Sequence, residues 1–377
     1  TTNNTVTFAG AVKATTITVT GAASSDIAAF QGDVTGNIAI ATDAQLTFTA
    51  DEVVTGNITT DADGKGTLTF ATAGASKTLV TGTIGTNTSL DLQAITVVTA
   101  ATYTTTVATG DIFALAIGTT GAGTTALGGN WTGTAITTDS NNTVSIAADK
   151  TLTGNILTGT DGAGTLTFEA TTTNTTLVTG TVGADGGGGD LLAFNVAPAT
   201  GVTATVTSTV NATTTTNSGA GTLAIGGAVD GDIALSAGGG VTLAGHLIGA
   251  ITNTGTASTG TVSVADAVNV TGAIGTSLKP LLSATFVGDT TQTGAVFADT
   301  VTLSNDSKTL ALTNADLTGN VVFGGDGTLT VTADEKIVGG ATTLVTNEGT
   351  ITFATTANAT TLASGNLGTS TLKLKAV

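Results

Sequence analysis

The chain has 377 residues, 26 of them acidic and 9 basic for a net charge of −17, with 40% hydrophobic and 3% aromatic residues and neither Cys nor Met. The missing Cys excludes a disulfide scaffold, thiol catalysis and Cys-held metals. An acidic balance in which every basic residue is Lys excludes the basic footprint of nucleic-acid binding, and no apolar run approaches the ~18 residues of a membrane-spanning helix.

The N-terminal "TTNNTVTFAG" has no signal-peptide core, so it reads as a mature or trimmed segment, or one exported by other means. "TVTF" (5–8) and "TITVT" (16–20) alternate Thr with apolar residues, as a half-buried strand does. Such blocks, rich in β-branched residues that favour strands and too apolar for disorder, recur throughout, separated by the turn formers Gly, Asn, Asp and Ser.

From residue 46 a longer unit begins: "LTFTADEVVTG" (46–56), "TGNITTDADGKGTLTF" (55–70) and "TLVTGTIG" (78–85). In it, Asp61, Asp63 and Gly66 fall at positions 1, 3 and 6 of an EF-hand loop, but Lys65 and Thr72 stand at positions 5 and 12, where calcium needs oxygen ligands. The unit returns at an offset of 98 as "TGNILTGTDGAGTLTF" (153–168) and "TLVTGTVG" (176–183). There Gly159 and Ala163 replace Asp61 and Lys65, and only Asp161 keeps an acid. At an offset of 283 it returns again as "LTVTADEKIVGG" (329–340), "GTITF" (349–353) and "LASGNLGT" (362–369). A shorter copy lies in "GTVSVADAVNVTGAIGT" (260–276). What persists is Gly followed by an alternating strand, so the stretch is a turn and not a metal loop.

Between the copies lie the single Tyr103 and Trp131, each open to a place in a partner interface or as a loop plug. "GADGGGGD" (183–190) marks an interruption. His246, the lone histidine, sits in "LAGHLIG" without a nucleophile elbow or oxyanion loop nearby; it reads as structural.

Within the unit, apolar nodes recur about every eleven residues: Leu46, Ile58, Leu68, Leu79 and Leu90, and likewise Val144, Ile156, Leu166 and Leu177. Short, evenly spaced strands over a whole chain fit a parallel β-helix (β-solenoid) with Thr/Gly-rich turns, each turn of the coil taking roughly 22 residues or more and the chain forming on the order of 15 turns. Residues 1–377 are expected to form one elongated solenoid, interrupted near 183–190. Strand alternation places Leu68, Phe70, Leu166, Phe168, Ile351 and Phe353 inside and the intervening Thr residues outside. Gly66, Gly164 and Gly349 are expected at φ > 0. The T-x-T stretches at 14–21 and 102–110 are not expected to recur at one fixed position of the coil.

The copies at 46–86, 144–183 and 329–369 resemble passenger regions of bacterial autotransporters, most of all rickettsial surface antigens of the outer-membrane protein B type. The resemblance implies a right-handed parallel β-helix exported to the bacterial cell surface, acting as adhesin or surface-layer component. Autotransporters end in a membrane barrel with a terminal aromatic residue, whereas this chain ends "TLKLKAV"; the barrel has been removed, or the surface attachment is different.

The expectation is therefore a non-enzymatic structural protein of the bacterial cell exterior that associates with itself into a surface layer or filament. An adhesin binding host or neighbouring cell surfaces is the alternative, and an ice-binding solenoid a further one. No catalytic, cofactor-binding or metal-site residue is expected, and no cofactor, with weak Ca²⁺ binding at contacts between copies as the one option that the Asp-rich turns leave.

Overall fold

The computed structural model describes residues 4–21, 25–49, 51–71, 74–138, 141–184, 189–332, 335–354 and 362–377. These residues form parallel strands wound into a β-solenoid of about 16 turns, with no helix among them. The chain divides into two compact units, residues 1–170 with 175–194, and residues 171–174 with 195–377.

In the first unit each turn has three sides, and each side stacks on its counterpart one turn away. The first side runs from Thr5–Phe8 through Ile27–Phe30, Gln45–Phe48, Thr67–Ala71 and Leu92–Val98 to the C-terminal halves of Ile112–Thr120, Trp131–Thr138 and Leu152–Thr158. The second stacks Lys77–Val80, Thr104–Ala108, Thr124–Leu127, Thr143–Ile146 and Ala163–Phe168. The third carries one apolar column, Ile38, Ile58, Ile84, Ile112, Trp131, Leu152 and Val178, all fully buried. The coil is thus three-sided, and its turns vary in length. Ser283 pairs with Thr300, a step of 300 − 283 = 17 residues, and Lys77 with Thr105, a step of 105 − 77 = 28.

The alternation sorts side chains as expected. Leu68, Phe70, Leu166, Phe168 and Ile351 are buried, while Thr67, Thr69, Thr165, Thr167 and Thr350 face outward and are half-buried. Phe353 departs from this and is half-exposed, because the next strand, Leu374–Ala376, pairs only with Glu348 and Thr350. Leu90 is not a strand node; it lies in the turn before Leu92–Val98.

One interior column of the first unit begins with Phe8, Phe30, Phe48 and Phe70, whose rings stack at 4.9, 5.3 and 4.8 Å. It continues as Val97, Thr119, Thr138 and Thr158. In-register stacking places like side chains at the spacing of adjacent strands, here close enough for offset ring contact.

The 98-residue repeat does not close on whole turns. Leu46 stacks through Leu68, Ile95 and Ile117 to Ile136, four turns on the first side. Val144, the counterpart of Leu46, lies one strand further on, on the second side, paired with Thr125 and Leu166. The repeat therefore advances four turns and one side.

The expected interruption at 183–190 lies half outside the described residues.

Candidate functional site

The stretch at 60–70 is a tight turn rebuilt in the three longer copies. Thr60 Oγ1 donates to Ala62 O at 3.0 Å, as Thr158 Oγ1 does to Thr160 O at 3.0 Å and Thr343 Oγ1 to Val345 O at 2.7 Å. Gly64, Gly162 and Asn347 then take φ of 62°, 65° and 67°. Their N–H groups donate to Asp91 O, Gly162's to Asp190 O and Asn347's to Lys373 O, at 3.0, 2.8 and 2.7 Å respectively. Asn is the side chain most tolerant of this left-handed region, which is why it stands in for Gly in the third copy. Two residues on, Gly66, Gly164 and Gly349 take φ of 79°, 73° and 76°, as the sequence required. The Gly349 position is also closed sterically, since a Cβ there would lie 2.4 Å from the Phe323 ring.

Aspartates at other corners hold one coil of the chain to the next. Asp43 Oδ1 accepts the Gly66 N–H at 3.3 Å, Asp111 Oδ1 the Asn130 N–H at 3.0 Å, Asp232 Oδ1 the Ala250 N–H at 2.8 Å and Asp306 Oδ1 the Asp326 N–H at 2.7 Å. Asn37, Asn57 and Asn155 do the same with their amide oxygens. His246 joins this set, its Nδ1 accepting the Asn269 N–H at 3.0 Å. A corner leaves backbone N–H groups that the strand ladders do not reach, and short acceptor side chains satisfy them. Among the described residues no three His, Cys, Asp or Glu side chains group as metal ligands would.

Asp61 and Asp63 are both exposed. Asp91 is buried, and burial first, then the Asp63 carboxyl beside it, push its pKa up. The pair carries a penalty at neutral pH that is relieved as pH falls through the raised value. Asp61→Asn with Asp63→Asn is accordingly expected to leave stability within ~0.5 kcal/mol of the parent, with any change toward greater stability. Melting curves with and without excess Ca²⁺ check this. A Ca²⁺-dependent rise in the parent, lost in the double variant, restores the metal loop.

In the second unit Lys308 Nζ bridges Asp266 Oδ2 at 2.7 Å and Asp289 Oδ2 at 3.2 Å, and Lys375 Nζ meets Asp326 Oδ2 at 2.5 Å. The Lys308 ammonium, then the Asp289 N–H, hold the Asp266 carboxyl below its ordinary range, and Lys375 does so for Asp326. Asp266 and then Asp289 raise Lys308. The carboxylates' contribution is complete above the unfolded value of ~3.9 and is lost as pH falls through their lowered folded values. That of Lys308 is complete below ~10.4 and lost as pH rises through its raised value. Lys308→Met is therefore expected to flatten the acid limb of a stability–pH curve for the second unit while leaving the first unit's unchanged. Exchange protection followed separately at 261–264 and at 67–71 distinguishes the two.

Trp131 is fully buried, its Nε1 donating to Ala114 O at 3.1 Å. It is neither an interface residue nor a loop plug, but takes the place that Ile112 and Leu152 hold in their turns.

What the sequence did not disclose is the arrangement of uncharged sides. The T-x-T stretches at 14–21 and 102–110 do not share one position of the coil: Thr16 and Thr18 align with Asn37 and Ala39 on the third side, while Thr104 and Thr106 stand on the second. Thr104 and Thr106 align with Thr124 and Ala126, Thr143 and Ser145, and Thr165 and Thr167 on four consecutive turns. In the first unit the outward columns from Thr5 to Asn155 and from Thr7 to Leu157 cross eight strands without a charged residue. The second unit has a matching side, stacked from Thr203–Val206 to Ala341–Thr343. The signal was present in the Thr content but needed the register, since varying turn lengths hide columns from any fixed period.

No family model, no curated protein and no solved structure matches this chain.

Proposed function

We propose that this chain is a structural protein of the bacterial cell exterior that associates with copies of itself into a layer or filament. The observation that carries the reading is that each unit presents one side of eight strands bare of charge, while the acids of a chain at −17 gather at corners as backbone acceptors. An extended uncharged β surface favours association. The setting outside the cell rests on the resemblance to autotransporter passengers. Electron microscopy of the full chain across ionic strengths, with Ca²⁺ and with chelator, tests the proposal. Ordered sheets or fibres are expected, with Ca²⁺ at the acidic corners strengthening them if it bridges copies. Dispersed single particles under every condition count against it.

A second reading, binding of ice, is favoured by the hydroxyl columns at Thr104–Thr167. A thermal-hysteresis gap in the parent that disappears in Thr106→Lys would move the function to this reading.

A further inference from the structure

The side of the second unit that begins at Thr203–Val206 carries outward columns free of charged residues across eight strands. Seven successive strand pairings run through it without a register shift between outward positions. Three outward columns result, from Thr203 to Gly340, from Thr205 to Thr342 and from Thr207 to Leu344, the last continued by backbone bonds such as Ala244 N–H to Ile225 O and Leu344 N–H to Phe323 O, both within 3.0 Å. None of the positions in these columns is Asp, Glu, Lys or His, and most are Thr, Ser, Ala or Gly. Of the unit's charged residues, Asp230 and Asp232 belong to another ladder and Lys308 with Asp266 and Asp289 to a corner, while Asp299, exposed beside Thr300, borders the patch.

We infer that this side is the contact between two copies of the chain, packed face to face about a twofold axis. The inference rests on the self-association reading and names its surface. Eight strands at ~4.8 Å and three columns spanning about four residue steps of ~3.3 Å give a patch of about 40 by 15 Å. That is roughly 600 Å² per copy and about 1,200 Å² for the pair, above the ~1,000 Å² that a specific interface needs. Two copies each at −17 repel one another, so contact through a side whose columns add no charge is favoured. Small side chains let two sheets approach to the ~10 Å of packed β layers with interdigitated columns. A twofold contact uses the same patch twice and closes on itself. Growth beyond the pair would then use other sides, including the uncharged side of the first unit.

Because the chain contains no Cys, a single introduced one can link only between copies. Ser263 stands mid-patch, half-buried, where a twofold axis brings equivalent positions together. The experiment is mild oxidation of the full-length Ser263→Cys chain, beside Thr330→Cys on a different ladder of the same unit. It is paired with sedimentation equilibrium of the parent, Thr242→Lys with Thr285→Lys, and Thr330→Lys at low and at ~0.5 M salt. The expected result is a disulfide-linked dimer from Ser263→Cys alone. The parent is expected to associate more strongly at high salt as repulsion is screened, the double Lys variant to lose at least about tenfold in association constant with its circular dichroism unchanged, and Thr330→Lys to behave as the parent. A parent that associates while Ser263→Cys fails to cross-link and the double variant associates equally well overturns this surface and leaves self-association standing. A parent monomeric at every concentration and salt overturns both. Should the double Lys variant misfold, the cross-linking pair decides alone.

Discussion

Phe48→Ala is expected to open the turns around residues 45–71 with a free energy lower by ~3–5 kcal/mol, the range for a buried phenylalanine truncated to alanine. Phe48 is fully buried and stacked between Phe30 and Phe70 at 5.3 and 4.8 Å, so truncation removes both ring contacts and leaves a cavity that neither neighbour can close without leaving its own stack. Each turn is hydrogen-bonded only to the turns on either side, so the damage is local, as expected where stability is a sum over neighbouring repeats. Amide exchange within the intact chain is therefore the proper measurement, better than a single global midpoint. Thr69→Ala, on the same strand pair but facing outward, serves as the control and is expected to cost under ~0.5 kcal/mol. Equal losses from the two variants would mean that the stacked rings add nothing to the coil.

The second large effect is expected at a corner glycine. Gly154 takes φ of 134°, and a Cβ there would lie 2.5 Å from Gly133 O and 2.6 Å from the Trp131 ring. Gly154→Val combines a backbone penalty of ~1–3 kcal/mol with overpacking of a similar size. Trp131 is the only tryptophan and donates to Ala114 O, so its fluorescence reports the corner directly. A red-shifted emission at room temperature and a lowered melting midpoint are expected. Trp131→Leu, which copies the neighbouring Leu152 of the same column, should recover part of the loss, a coupling that a double-mutant cycle reads. An unshifted emission in Gly154→Val would show that the corner has room the geometry denies.

Much of this architecture was legible in the sequence because β-branched alternation and repeated Gly-strand junctions are local signals. Leu68, Phe70, Leu166 and Phe168 could be placed inside from period alone, and the left-handed glycines at 66, 164 and 349 from the turn they precede. The third side of the coil was not legible. In one turn it is reached through a strand of only two residues, Val54–Thr55, followed by Gly56 and then Ile58–Thr60, too short to show a period of its own. Trp131 was misplaced because an indole among glycines reads as a loop, when the same glycines, 133 and 154, make the room that buries it. The uncharged sides were invisible for a different reason. They are defined by which residues align one turn apart, and that distance ranges from 17 residues at Ser283–Thr300 to 28 at Lys77–Thr105.

A repeat that advances four turns and one side means that the same sequence is read by two different walls of the coil. Leu46 and Phe48 fill the interior from one wall, and their counterparts Val144 and Ile146 fill it from the next. The walls are therefore interchangeable as hosts, and the quantum by which such a chain can lengthen is a single strand with its corner, not a full revolution. A lineage copying segments of arbitrary strand number would still close its backbone ladders. It would shift which residues share an outer column, so the length of a duplication sets the surface pattern without disturbing the interior. A chain built by inserting one strand-and-corner segment after residue 168 should fold, and it should carry its Thr columns onto a neighbouring wall.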